Sequence, residues 1–186
     1  MVRLLQNPSG VFCKSLNSLD TASLTPRTLL ALSVICCIIL PMNHAELAAA
    51  LFSQGLSCSQ AVFSVYAGEY GLDKDAASKI ASGFGGGMGR MGQTCGAVTG
   101  AYMVIGLKYG AATGDREAKE KTYRAIREFA EQFKAKHGAL DCKDLLGCDI
   151  STQQGFEEMK KRGLHEKVCT KLVRDACEIV DEMLKV

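Results

Sequence analysis

The chain has no tryptophan, only three prolines in 186 residues, and no CxxC pair among its nine cysteines. Each absence removes a class of protein. With little proline and no glycine period, the chain is neither collagen-like nor low-complexity. Without CxxC it has neither a zinc ribbon nor a thioredoxin-type active site, and without CxxCH it has no place for covalent haem. A secreted disulfide scaffold would be shorter and poorer in helix. The net charge is only +2 and no basic stripe alternates with aromatics, so nucleic acid is not an expected partner. There is no Walker lysine pattern, no Ser/His/Asp set, and no paired carboxylates in an apolar setting. Gly87, Gly89 and Gly92 match a dinucleotide fingerprint as a string. A helical pattern precedes them, however, where the fingerprint needs a strand.

A membrane-length apolar run is also lacking. Residues 28–40, TLLALSVICCIIL, are nearly all apolar but number 13, whereas a spanning helix needs about 20. The run has the length of a signal-peptide core, yet a long segment precedes it and no small-x-small cleavage site follows. Three readings stay open for residues 1–41. They are an upstream over-extension of a chain that starts at Met42, a signal or anchor, or an integral part of the fold. The first implies a cytoplasmic protein and the second an exported or membrane-associated one. Cys13, Cys36 and Cys37 lie in this extension and are set aside.

Residues 42–186 read as a single helical domain. His44 to Phe52 has the pattern of a short helix carrying Leu47 and Leu51, ended by Gly55. Ser57 and Gln60 spell a capping box before the apolar run Ala61, Val62, Val65, Tyr66. Asp73 caps a further helix to about Ala81. Then comes Gly83 to Gly100, GFGGGMGRMGQTCGAVTG, a loop with a single charge, Arg90. Glycine at this density implies torsions or close approaches that a β-carbon forbids, and Arg90 reads as a solvated loop charge, with contact to an anion or offset of a cluster's charge as the alternative. Thr94 is the expected N-cap of a helix from Cys95 to about Tyr109, apolar nearly all round and therefore central. Gly114-Asp115 opens a long amphipathic helix to about Lys136, with Tyr123, Ile126, Phe129, Ala130 and Phe133 as its apolar stripe. Asp141 caps a short turn, Cys142 to Leu146, closed by Gly147. Ser151 and Gln154 spell another capping box, and a last helix runs from His165 or Glu166 to Leu184. Cys169, Leu172, Val173, Ala176, Val180 and Met183 share its inward face. Nothing alternates convincingly as a strand, so the expected fold is all-α, a compact bundle with a glycine-rich loop leading into a central buried helix.

Three cysteines share one local grammar. Ser57-Cys58, Thr94-Cys95 and Asp141-Cys142 each place a thiol directly after an N-cap residue. Free N–H groups and partial positive charge at a helix start favour the thiolate, the form that binds soft metals or attacks disulfides. Cys169 sits inside the last helix on its apolar face. Four thiols pointing into one bundle interior suit a soft-metal or iron–sulfur site; the plain alternative is that they are small core hydrophobes. Cys148 reads as a spare ligand or resolving thiol, and Cys177, about 80° around the helix from Cys169, as core edge. His44, His137 and His165 read as end caps or solvent-exposed residues.

Cys95-Gly96-Ala97-Val98-Thr99-Gly100 resembles the CGAxxG signature of the redox-active C_GCAxxG_C_C family. Cys58 resembles that family's first cysteine, Cys95 its second, Cys142 its third and Cys169 its fourth. The resemblance runs over about residues 44–184. The family is similar to a domain of split-Soret cytochromes c, which implies an iron–sulfur centre; the haem part does not carry over, because the attachment motif is absent. The resemblance thus implies a small redox protein holding an iron–sulfur cluster, in the [2Fe–2S] form, on Cys58, Cys95, Cys142 and Cys169, for electron transfer or redox sensing. Two alternatives stay open. One is metal-free thiol–disulfide chemistry through Cys58 and Cys95, and the other a structural zinc site in an interaction domain. Expected partners are a redox partner protein, whose identity the pattern does not encode, and a second copy of the chain.

Overall fold

The computed structural model describes residues 42 to 185, and the readings made for residues 1–41 lie outside them. Among the described residues there are eight helices and no strand, so the fold is all-α. No helix among them is long and apolar enough to cross a membrane.

Local capping sets the first three helices. α1 is His44–Ser53, opened by the Asn43 side chain, which accepts from the Glu46 amide at 2.8 Å. Its buried face is Ala45, Ala48, Ala49 and Phe52, whereas Leu47 is exposed. α2 is Cys58–Ala67, with the expected capping box in place. The Ser57 amide donates to the Gln60 side chain at 3.0 Å, and the Gln60 amide donates back to Ser57 Oγ at 3.4 Å. α3 is Lys74–Ala81, capped by Asp73. Polar bonds stitch α2 to α3: Ser59 Oγ donates to the Ala81 carbonyl at 2.8 Å, and Gln60 Nε2 to Ser78 Oγ at 2.9 Å. These bonds satisfy polar groups that would otherwise be costly to bury.

α4 is Gly96–Tyr109, and its first ten residues hold every one of its buried positions. α5 is Arg116–His137, opened by Asp115 and closed by left-handed Gly138. Its buried line is Ala125, Phe129 and Phe133, while Tyr123 is exposed. α6 is the short Cys142–Leu146 and α7 is Gln153–Arg162. The cap of α7 is Thr152, not Ser151, and its hydroxyl accepts from Gly155 N at 3.0 Å. Ser151 is engaged instead by the Asp149 carboxylate, which accepts from both its amide and its hydroxyl. α8 is Thr170–Leu184, entered through one π turn, His165–Cys169.

The apolar residues form two clusters. The larger joins α1 to α5 and α8 and includes Cys58, Cys95 and Cys177. The smaller is Cys142, Leu146, Ile150, Met159 and Leu164. Cys169 packs against both. Cys177 is fully buried in the larger cluster, not at its edge, because the apolar stripe of α8 is broad enough to enclose it.

A second set of contacts holds α8 against the start of the domain. His44 Nδ1 lies 2.8 Å from Asp181 Oδ1, and His44 Nε2 lies 2.8 Å from Glu69 Oε1. Tyr66, fully buried, donates its hydroxyl to Asp181 Oδ1 at 2.7 Å, with the Cys177 carbonyl 3.1 Å away. His137 lies 3.0 Å from the buried Asp175. His44 and His137 are thus tertiary contacts and not end caps, while His165 is exposed but stacks on Phe52.

Candidate functional site

The glycine loop is built from left-handed residues. Gly86, Gly87, Gly89 and Gly92 have φ of 65°, 70°, 64° and 69°, and Met88 and Arg90 join them at 62° and 68°. Glycine adopts this region freely, but other residues enter it seldom. The loop folds back on itself, with Arg90 N donating to the Gly85 carbonyl at 3.1 Å and Gln93 N to the Gly87 carbonyl at 3.1 Å. Gly87 also has no room for a side chain: a β-carbon there would lie 2.5 Å from the Gln93 carbonyl and 2.7 Å from Cys142 Cβ.

The loop's remaining carbonyls cap α6. Cys142 N donates to Gln93 O at 2.7 Å and Lys143 N to Gly92 O at 3.0 Å. Asp141 therefore makes no side-chain cap bond and pairs instead with Thr94 in an isolated antiparallel bridge. Thr94 is accordingly not the cap of α4. That position belongs to Cys95 itself, whose amide donates to Leu140 O at 2.8 Å.

These connections bring Cys58, Cys95, Cys142 and Cys169 to the wall of one cavity of about 730 Å³, at the seam between the two apolar clusters. α2 delivers Cys58 at its first turn, the loop delivers Cys95, α6 delivers Cys142, and the π turn ahead of α8 delivers Cys169. Gly85, Gly86 and Gly89 line the same space. Cys148 is half-buried beside the smaller cluster and does not line it, and neither does Cys177. Among the described residues, no three His, Cys, Asp or Glu side chains converge closely enough to hold a single metal ion.

The thiols differ sharply in acidity. Cys58 is pulled down to about 6, chiefly because the Cys95 thiol donates to it, aided by the amides of Gly86, Ser59 and Cys58 against the opposing effect of burial. Cys95 is pushed far above the ordinary thiol range, first by that same bond and then by burial. The two behave as one unit that gives up a first proton readily and keeps the second. Burial pushes Cys142 and Cys169 up to about 12 each, with the nearby Cys58 charge adding to it. Helix-start amides thus help to lower Cys58, whereas at Cys95 the Ala97 amide is outweighed by the Cys58 bond and burial, and Cys142 gains nothing from them. At α6 the first amides are spent on loop carbonyls and cannot serve a thiolate, so desolvation decides.

Several wall residues carried no signal in the sequence. Phe52, Ile150, Phe156, Met159 and Leu172 read as ordinary core or helix-face residues, and the folded chain turns them towards the thiols. Arg90 is exposed, as expected of a solvated loop charge, and it also lines the cavity. Its guanidinium carbon sits 4.2 Å from the Phe156 ring centroid.

Fold and site together define an all-helical, multi-thiol protein whose cysteines gather from distant segments without disulfides among the described residues. The family described as "Putative redox-active protein (C_GCAxxG_C_C)" matches residues 56–183, and the chain belongs to it. No curated protein and no solved structure matches the chain.

Proposed function

We propose that this redox-active protein holds an iron–sulfur cluster, in the [2Fe–2S] form, on Cys58, Cys95, Cys142 and Cys169, and uses it for one-electron transfer or redox sensing. The observation that carries this reading is the shared cavity: four thiols from four separate segments face one space, in walls otherwise mostly apolar. The donor set is the one such clusters take.

When bound, the cluster would supply a one-electron couple. The chain's own residues set its surroundings. The Gly86 and Ser59 amides, which donate to Cys58, would withdraw electron density from that ligand and favour the reduced form. The buried walls at Phe52, Met159 and Leu172 would keep water from the sulfurs. Loading must displace protons from Cys95, Cys142 and Cys169, whose acidities are held down in the metal-free chain.

The test is to purify the protein without air and to record its visible spectrum beside iron and acid-labile sulfide. The reading expects absorbance between roughly 400 and 600 nm with matching iron and sulfide. A colourless, iron-free protein that stays so after reconstitution overturns it.

One observation favours a second reading. Cys58 and Cys95 form a hydrogen-bonded pair with one acidic member. In a metal-free protein the Cys58 thiolate would attack a partner's disulfide and release one partner thiolate. Cys95, losing its proton, would then attack Cys58 Sγ and release the second. The partner's disulfide is reduced by two electrons as Cys58–Cys95 is oxidised. Thiol counts that fall by two on oxidation of an iron-free sample would support it.

A further inference from the structure

The cysteines take up only part of their cavity. Its volume of about 730 Å³ lies within the range of small-molecule sites, about 300–1,000 Å³. Most of the remaining wall is apolar, with Phe52, Phe156, Met159 and Leu172 prominent, and no carboxylate lines it. Arg90 does, at the exposed side. Arginine is always charged, and Arg90 makes no ion pair among the described residues. Lys160, which does not line the cavity, has its Nζ 4.3 Å from the centroid of the same Phe156 ring that Arg90 covers. The backbone holds Arg90 there in a conformation unusual for its type, φ 68°, fixed by its amide bond to Gly85.

We propose that this part of the cavity binds a small organic anion with an apolar or aromatic body. Its charged end meets Arg90, and its body lies against Phe156, Met159 and Leu172 beside the thiols. This names a substrate class for the redox site and rests on the redox reading for what becomes of the ligand there. The binding itself requires only the apolar wall and the unpaired guanidinium, which together select an amphipathic anion over a neutral or cationic molecule.

The test uses the full chain and two fluorescent probes, 1-anilinonaphthalene-8-sulfonate and its uncharged parent N-phenyl-1-naphthylamine. The anionic dye should bind saturably at one site. Arg90→Gln should weaken it about tenfold while changing the neutral dye by less than about twofold, and Arg90→Lys, which keeps the charge, should recover most of the loss. Lys121→Gln, in α5 and not among the residues that line the cavity, should change neither. Absence of saturable binding, or an Arg90→Gln variant that leaves the anionic dye unchanged or weakens both dyes alike, overturns the proposal. Iron measured on the same samples keeps the two readings apart. Arg90-dependent binding to iron-free protein removes the cluster and leaves this site, whereas iron without dye binding does the reverse.

Discussion

Gly96 leaves room for the sulfur of Cys58. A β-carbon at 96 would overlap Cys58 Sγ, and would also lie 3.0 Å from the Phe84 carbonyl and 3.1 Å from the Ser59 amide. The glycine that follows Cys95 therefore serves the other cysteine of the pair, and it lets α2 and α4 approach together with Gly100, where a β-carbon would lie 2.9 Å from Val62 Cβ and 3.0 Å from the Ser59 carbonyl.

The prediction that follows is a contrast between two glycines of one helix. In α4, Gly→Ala should stabilise by about 1 kcal/mol wherever space allows. Gly106 has nothing within 4 Å of its would-be β-carbon, so Gly106→Ala should raise the melting temperature. Gly96→Ala should lower it, through an overpacking cost of roughly 1–3 kcal/mol, and should disturb the Cys58–Cys95 bond as well. Thermal melts of the two variants check the opposite signs.

The acidity of Cys58 makes a second prediction, for the metal-free reduced protein. Its folded value lies below the ordinary thiol value of 9.0, so the folded state favours the thiolate. The resulting stability is fully present above the unfolded value and is lost as pH falls through the folded one. Ultraviolet thiolate absorbance should show a step near pH 6, absent in Cys58→Ser. Cys95→Ala, which removes the donor, should move that step to higher pH. A step that stays in place would mean that the amides of Gly86 and Ser59 suffice alone.

The His44 clamp titrates in the opposite sense. Its bond to Asp181 raises His44 above 6.5, with Glu69 helping and burial opposing. Its contribution is therefore complete below pH 6.5 and is lost as pH rises through the folded value. His44→Ala should cost about 1–2 kcal/mol at pH 5.5 and less at pH 9. Denaturant melts at the two values check this, and an imidazole titration by NMR should move down in Asp181→Asn.

Much of the fold was legible because it is set locally. The Ser57/Gln60 box, the Asp73 and Asp115 caps and the glycine ends at 138 and 147 are written in neighbouring residues, and they stand where they were read. The departures share one cause, partners distant in sequence. Thr94 looked like a cap because the residues around it allow one, but Asp141 takes it into a bridge. Ser151 reads as the cap of α7 because Gln154 follows at box spacing, but Asp149 claims it and the cap falls to Thr152. The grammar of cap followed by cysteine pointed to three acidic thiols; it left out the loop carbonyls that use up the α6 amides and the burial that dominates at Cys142. The four cysteines were legible as a set, but the cavity between them was not, since its apolar walls carry no signature until the chain is folded.

The central claim is that Cys58, Cys95, Cys142 and Cys169 act as one ligand set around that cavity. The most direct measurement is iron and acid-labile sulfide per chain, with the visible spectrum, for the wild-type protein, its four single Cys→Ser variants and Cys177→Ser, all purified without air. The account predicts a coloured wild type and a coloured Cys177→Ser, because Cys177 is buried away from the cavity. It predicts loss of iron and colour in each of the four. A wild type that stays colourless after reconstitution, or iron that survives unchanged in all four variants, would contradict it.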